Sequence, residues 1–238
     1  MSEDMRIHLE KACAAIGIFL QSTHFSAFET YAALLTDWNT RMNLTAITDP
    51  KEMAIKHFSD SLAIFQALEL PKQAKLIDIG TGAGFPGVPL KIVRSDLQLT
   101  LLDSLNKRLI FLDALLSTLD LAATLIHARA ENAARQEAFR EQFDVATARA
   151  VAELSTLCEY CLPFVRVGGF FLAMKGPALS EELEKSEQAI ALLGGKAVKV
   201  YPYTLADGSL RSVAVVEKIS KTPSKYPRQG AKISKSPL

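Results

Sequence analysis

Leu76-Ile77-Asp78-Ile79-Gly80-Thr81-Gly82-Ala83-Gly84-Phe85-Pro86-Gly87 is the stretch on which the fold turns. An apolar run of strand type enters a glycine-dense turn. Pro86 follows, a residue suited to the first turn of a helix because its missing N–H would be unpaired there anyway. Gly80, Gly82 and Gly84 stand at every second position, so the backbone can pass through positive φ and a ligand can lie against bare main chain. The helix predicted after Pro86 then aims its free N–H groups at that ligand. Strand, glycine loop and helix in this order suit a nucleotide-type cofactor.

Two cofactor classes compete for the loop. Gly82-x-Gly84-x-x-Gly87 satisfies the dinucleotide fingerprint, and Asp103 follows at the expected distance of about 20 residues. Against NAD stand Asp78, an acid inside the strand that would repel a pyrophosphate, and a loop too long for the tight first dinucleotide turn. A buried carboxylate is costly unless paired. The cationic methionine end of S-adenosylmethionine offers such a partner, directly or through water.

Downstream of the loop, strand and helix patterns alternate. After a helix through Val88 to Arg94 come a strand Leu97 to Leu102 ending at Asp103, a long helix to Leu119, and a strand Ala122 to Ile126. The loop His127 to Asn132 and a short helix precede a strand Phe143 to Ala148 that ends at Arg149. A helix from Ala152 to Leu162, a strand Gly169 to Met174 and a helix Ser180 to Leu193 follow. Two further runs, Lys196 to Thr204 and Leu210 to Ile219, joined by Asp207-Gly208, read as a hairpin that makes the last strand antiparallel. Alternation of this length implies an α/β fold built on a doubly wound, mostly parallel sheet. Ligands of such sheets sit beyond the carboxyl ends of the strands, which gathers Gly80 to Phe85, Asp103, Ser104, Arg129 to Glu131, Arg149 and Lys175 into one candidate pocket. Asp103 suits two ribose hydroxyls, or else caps the next helix. Glu131, or the backbone of Ala130, meets an adenine edge. Arg129 and Arg149 suit a phosphate or guanine edge, or a structural ion pair.

Upstream, residues 1–70 read as a helical extension with no strand signal. Phe28, Tyr31, Ala32, Leu35 and Trp38 recur at three and four, an amphipathic stripe. Asn39 and Asn43 suit a helix end. The next helix starts with Thr48 or Asp49 as cap, Pro50 at its first position and Glu52 in its first turn. His57 and Asp60, at i and i+3, share a face of it. No nucleophile or metal cluster stands out in this part.

The composition is that of an ordinary soluble protein: 238 residues, 49% hydrophobic, 22% charged, with a net charge of +1 that argues against non-specific coating of nucleic acid. The first residues lack the basic region of an export signal, no apolar run reaches the ~20 residues of a membrane span, and a cytoplasmic protein is expected. Cys13, Cys158 and Cys161 give no disulfide framework. Cys158-Glu159-Tyr160-Cys161, though formally C-x-x-C, lies in an apolar helical pattern and reads as buried helix cysteines. Residues 71–219 form the main domain. Residues 220–238 read as a basic, poorly structured tail: after Glu217 no acid occurs, while Lys218, Lys221, Lys225, Arg228, Lys232 and Lys235 accumulate. Such a tail favours RNA or DNA through counterion release.

The loop Asp78 to Gly87, Leu101-Leu102-Asp103-Ser104 with Lys107-Arg108, Ser59-Asp60-Ser61 preceded by His57, Arg149-Ala150 and Met174-Lys175-Gly176 together resemble the bacterial small-subunit ribosomal RNA guanine-N7 methyltransferases, the family once called glucose-inhibited division protein B. The resemblance runs from about Trp38 to the tail. It implies a Rossmann-like S-adenosylmethionine-dependent methyltransferase fold. The family's cofactor contacts fall on Gly80, Phe85, Asp103, Ser104, Leu105, Ala130, Glu131 and Arg149, beside Asp78, Gly82 and Gly84 of the loop itself. The chain departs from the family pattern at Ala130 and Asn132, where a valine and a second acid are familiar, and at Phe85, often a leucine. The implied substrate is one guanine of 16S ribosomal RNA, alone or in the 30S subunit, and the expected form is a monomer without metal. Guanine N7 has an in-plane lone pair and no proton, so no general base is expected. Arg149 and Arg129 would hold cofactor and target nucleotide, while His57, Lys175 and the tail bind RNA backbone. An NAD-dependent oxidoreductase and a non-catalytic RNA-binding module are the alternatives.

Overall fold

The computed structural model describes residues 3–149 and 152–238; Ala150 of the Arg149-Ala150 pair lies outside them. Helices come first, α1 (Glu3–Ala15) and α2 (Ser22–Met42). Of the predicted stripe of α2, Phe28, Tyr31, Ala32 and Leu35 are buried and Trp38 is half-buried, and Phe25 is buried beside them. Asn43 ends it in the left-handed region at φ 50°, its N–H on the Asn39 carbonyl, while the Asn39 side chain accepts from the Thr45 amide at 2.9 Å.

A second helical run comprises α3 (Pro50–Met53), a π-helix (Ala54–Ser59), α4 (Asp60–Leu62) and α5 (Ile64–Ala67). Asp49 is its cap, accepting from the Glu52 amide at 2.9 Å, with Pro50 first. The pattern predicts one regular helix here. The wider π turn forms where the Arg149 guanidinium takes the carbonyls of Lys56 (3.1 Å) and His57 (3.5 Å), and an inserted side chain is an established cause of helix distortion.

The sheet elements follow: β1 (Lys75–Ile79), α6 (Gly87–Val93), β2 (Gln98–Asp103), α7 (Asn106–Thr118), β3 (Ala123–His127), α8 (Ala130–Ala133), β4 (Phe143–Arg149), α9 (Leu154–Cys161), a 3-10 turn (Leu162–Phe164), β5 (Val165–Lys175), α10 (Leu179–Leu192), β6 (Gly195–Thr204), β7 (Leu210–Lys218) and α11 (Gly230–Lys235). Among the described residues, seven strands lie in the order β3-β2-β1-β4-β5-β7-β6. β1 to β5 are parallel, and β7 runs antiparallel to both β5 and β6. The expected hairpin is therefore present, with the last strand inserted inside the sheet. β5 begins at Val165, earlier than the Gly169 expected, pairing there with Phe143 before its register against β4 shifts between Phe143 and Val145.

Alternation along the strands sorts the core into two faces. Leu76, Leu101, Val145, Leu172 and Val215 meet the N-terminal helices, α6 and α7 on one face. Ile77, Leu102, Ala146, Phe171 and Val216 meet α9 and α10 on the other. Cys158 and Cys161 are fully buried in this second core. The helical extension thus completes one face of the sheet.

The segment after Glu217 departs from expectation. It is a packed strap across the second face. Lys218 is wholly buried, its Nζ donating to the carbonyls of Leu162 (2.7 Å) and Val165 (3.2 Å) and to Thr222 Oγ1 (2.8 Å). Arg140 donates to the carbonyls of Thr222 (2.8 Å), Tyr226 (3.0 Å) and Pro223 (3.3 Å), and Arg135 to those of Lys225 (3.2 Å) and Pro227. Tyr226 and Ile233 are buried. Arg228 forms a forked pair with the fully buried Glu159, at 2.6 and 2.9 Å. The lysine count points to a solvated tail because the matching acids, Glu141 at 3.3 Å from Lys218 Nζ and Glu159 on Arg228, lie far away in sequence.

Candidate functional site

The site begins where β1 ends. Gly80, Gly82 and Gly84 adopt φ of 69°, 62° and 102°, a region that disfavours any residue bearing a Cβ. At Gly84 space is also exhausted: a Cβ would lie 2.6 Å from the Tyr31 hydroxyl and 2.9 Å from Val88 Cγ2. Tyr31 of α2 donates to the Ala83 carbonyl at 2.5 Å and stacks on Phe85 at 5.2 Å. The extension therefore clamps the loop from behind, leaving Gly80 and Gly82 as its partly exposed residues.

The helix N–H groups are not free as expected. Gly87 N donates to Asp78 Oδ2 at 2.9 Å, Val88 N to the Gly84 carbonyl at 2.8 Å, and Pro89 has none. Pro86 sits at the cap of α6, one position before its first residue. Asp78 is fully buried. Its Oδ2 also accepts from Thr81 Oγ1 at 2.7 Å, so this carboxylate joins the strand to the helix start. Its Oδ1 has no partner among the described residues, and burial pushes its carboxyl up to about 6. What the loop offers a ligand is exposed main chain at Gly80 and Gly82.

Asp103, at the end of β2, is 1% exposed. It accepts from Gly82 N (3.0 Å), Leu105 N (2.9 Å) and Arg108 Nη1 (3.1 Å). A hydroxyl pair reaching it would take the place of the half-buried Arg108. Ser104 and Leu105 are exposed at the rim. Beyond β3, Arg129 is exposed, and the half-buried Ala130 opens α8 with Glu131 next. Glu131 is only 8% exposed, yet among the described residues no group donates to its carboxylate.

Arg149 ends β4 in a tightly held position. Besides the π-turn carbonyls it donates to Asp60 Oδ2 (3.2 Å) and His57 Nδ1 (3.3 Å), and it lies 4.8 Å over the Phe85 ring. His57 and Asp60 thus share a face, as their spacing predicts. Asp60 Oδ1 accepts from the Tyr203 hydroxyl at 2.7 Å. Arginine has only donors, so His57 Nδ1 is an acceptor and Nε2 carries the proton toward Thr45 Oγ1 at 2.8 Å. Burial, aided by Arg149, holds His57 down to about 3. Stacked on Phe85 at 4.4 Å and buried, His57 is held with both ring nitrogens engaged at the edge of the cavity described next. Lys175 is also engaged, with Glu182 and the Ala152 carbonyl, both at 2.7 Å.

A cavity of about 420 Å³ opens beside this cluster, between the π turn and the β6–β7 hairpin, with Lys56, Arg149, Lys175, Tyr203 and Arg211 in its walls. A larger hollow of about 800 Å³ by Glu69, Lys72, Arg94 and Asp96 lies at the amino ends of β1 and β2, away from the glycine loop, where ligands of parallel sheets do not bind.

Residues 24–209 match the family described as rRNA small subunit methyltransferase G. The chain belongs to this family. It is 46% identical over 237 residues to the ribosomal RNA small subunit methyltransferase G of Alkaliphilus metalliredigens, covering 99% of each chain. To that of Clostridium tetani it is 44% identical over 232 residues, covering 97% of each. Among solved structures, the SAM-dependent O-methyltransferase of Thermotoga maritima superposes with a TM-score of 0.56 at 14% identity, over 79% of this chain and 73% of that one. TYW2 of M. jannaschii in complex with AdoMet gives 0.53 at 14% identity, over 67% and 77%. These two establish the methyltransferase fold, and the family makes the chain a small-subunit rRNA methyltransferase.

In the rRNA small subunit methyltransferase G frame, the structure brings Gly80, Gly82, Phe85, Asp103, Ala130, Glu131 and Arg149 to neighbouring strand ends. It adds residues the sequence reading passed over: Tyr31 behind the loop, Tyr203 on Asp60, and Lys56 and Arg211 at the cavity. Tyr31 carried a signal only as a core residue. Tyr203 and Arg211 lie on the hairpin, and nothing local ties that hairpin to Asp60 in the helical extension.

Proposed function

We propose that the chain transfers a methyl group from S-adenosylmethionine to N7 of a guanine in 16S ribosomal RNA. The observation that carries this reading is the pairing, in a member of this family, of bare main chain at Gly80 and Gly82 with the donor-free, nearly buried Glu131 two strand ends away. These features fit an adenosyl cofactor: Glu131 accepts from the nucleoside, Asp103 faces its ribose from the end of β2, and the glycines let it lie against the backbone. When bound, the cofactor supplies an electrophilic sulfonium methyl, which the proton-free lone pair of guanine N7 can attack without a base.

The chain's task is then to orient and to exclude water. Phe85, His57 and Arg149 form a rigid wall between the glycine loop and the basic cavity, and both His57 nitrogens are committed to Thr45 and Arg149. Arg211 and the exposed Arg129 supply positive charge for the phosphates around the target, while Lys56 at the cavity is paired with Glu52 at 2.5 Å and Asp207 at 3.6 Å. The chain works in the cytoplasm as a monomer on 16S RNA or the 30S subunit.

Primer-extension mapping of N7-methylguanine on 16S RNA treated with purified protein and S-adenosylmethionine tests the reading, with one modified guanine expected. Calorimetry runs alongside. Tight binding of NAD in place of S-adenosylmethionine, or bound S-adenosylmethionine with no N7 modification on RNA or 30S particles, overturns it.

A further inference from the structure

We propose that the C-terminal strap is a positioning element of the cofactor site, and that Gly230 sets the carboxylate of Glu131. This rests on the assignment of Glu131 to the cofactor. Gly230 opens α11, and a Cβ built on it would stand 2.2 Å from Glu131 Oε1 and 3.0 Å from its Cδ. The Cα of Gly230 therefore forms a wall against which the carboxylate rests, and only a residue without a side chain leaves it there. Every anchor of the strap points the same way. Arg135 and Arg140, just beyond α8, hold the strap carbonyls from Thr222 to Pro227. Glu159 of α9 holds Arg228 through its guanidinium and its backbone N–H at 2.7 Å. Ile233 is fully buried. The strap so fixed has little freedom to retreat from Glu131, whereas the carboxylate, at the end of a flexible side chain, can swing away.

That asymmetry makes Gly230→Ala the informative variant. Gly230 is not in the positive-φ region, so alanine is tolerated by the backbone and favoured in a helix. The added methyl displaces the carboxylate and leaves the fold intact. S-Adenosylmethionine affinity by calorimetry, and the KM for it, are expected to weaken by roughly tenfold, the loss of one charge-assisted hydrogen bond, with Tm and the KM for RNA unchanged. Glu131→Ala is measured beside it and should weaken affinity at least as much. In the double variant the Gly230 change should add nothing further. Unchanged affinity in Gly230→Ala, with affinity lost in Glu131→Ala, overturns the role of Gly230 alone. Unchanged affinity in Glu131→Ala overturns the assignment of Glu131 and the strap proposal with it.

Discussion

Arg149 shows how one side chain serves fold and site together. It joins the end of β4 to the π turn, to Asp60 and to the Phe85 ring. Removing it leaves Asp60, 5% exposed, with Tyr203 as its remaining partner. Arg149→Ala should therefore cost about 2–3 kcal/mol of stability as well as activity, measurable by urea unfolding; a variant with wild-type stability and wild-type rate would refute this placement. The same variant should raise the pKa of His57, followed by NMR, since Arg149 helps hold it down. His57 also gives a signed pH dependence. Its folded value, about 3, lies below the ordinary 6.5, so the unfolded chain binds the extra proton and stability is lost as pH falls from ~6.5 toward 3. Asp78 acts in reverse: raised from 3.8 to about 6, it favours the fold fully at acid pH and loses that contribution as pH rises through 6. His57→Gln should flatten the acid limb of a Tm-against-pH curve and leave the Asp78 contribution in place. An unchanged acid limb counts against the assignment.

At the scale of elements, the contact between α2 and the glycine loop is the decisive one. Tyr31→Phe keeps the stack on Phe85 and removes only the bond to the Ala83 carbonyl, so a loss of about 1–2 kcal/mol is expected, with weaker S-adenosylmethionine binding as the loop loosens. Gly84→Ala adds a Cβ at 2.6 Å from the Tyr31 hydroxyl in a residue at φ 102°. Combining it with Tyr31→Phe should recover only the share of the loss that falls on the hydroxyl, leaving the contacts with Val88 and Leu112 and the backbone part, a non-additivity that a double-mutant cycle reads directly. Strictly additive losses would show that the hydroxyl and the glycine are not in conflict. Elements themselves were largely legible in the sequence. Strands β1 to β4, the hairpin, the stripe of α2 and the Asp49–Pro50 helix start all follow from periodicity and cap chemistry, which act over a few residues. The π turn was not legible, because the guanidinium that holds its carbonyls belongs to Arg149, 93 residues from Lys56.

For the molecule as a whole, both flanks of the sheet domain turn out to be part of its structure. Among the candidate residues, Gly80, Phe85, Asp103 and Glu131 could be placed from strand-end logic and family resemblance, but their partners could not. Asp78 turns inward to Gly87, His57 is held neutral, and the supposed tail binds Glu159, 69 residues from Arg228. Arg228→Ala leaves that fully buried carboxylate with the backbone N–H alone, and a loss of about 3 kcal/mol is expected. Restoration of much of it by adding Glu159→Gln, which removes the stranded charge, would confirm the cause; no recovery would disprove it. The satisfied backbone of the glycine loop carries a last consequence. Gly80 and Thr81 donate to the Leu102 carbonyl, Gly82 to Asp103, and Gly84 and Phe85 to the Thr81 carbonyl. A glycine-rich loop would ordinarily be among the first segments to surrender its amide protons to solvent. Here those five amides should exchange with deuterium only when α2 and β2 separate from the loop, in step with the strands of the core and far more slowly than the rim at Ser104.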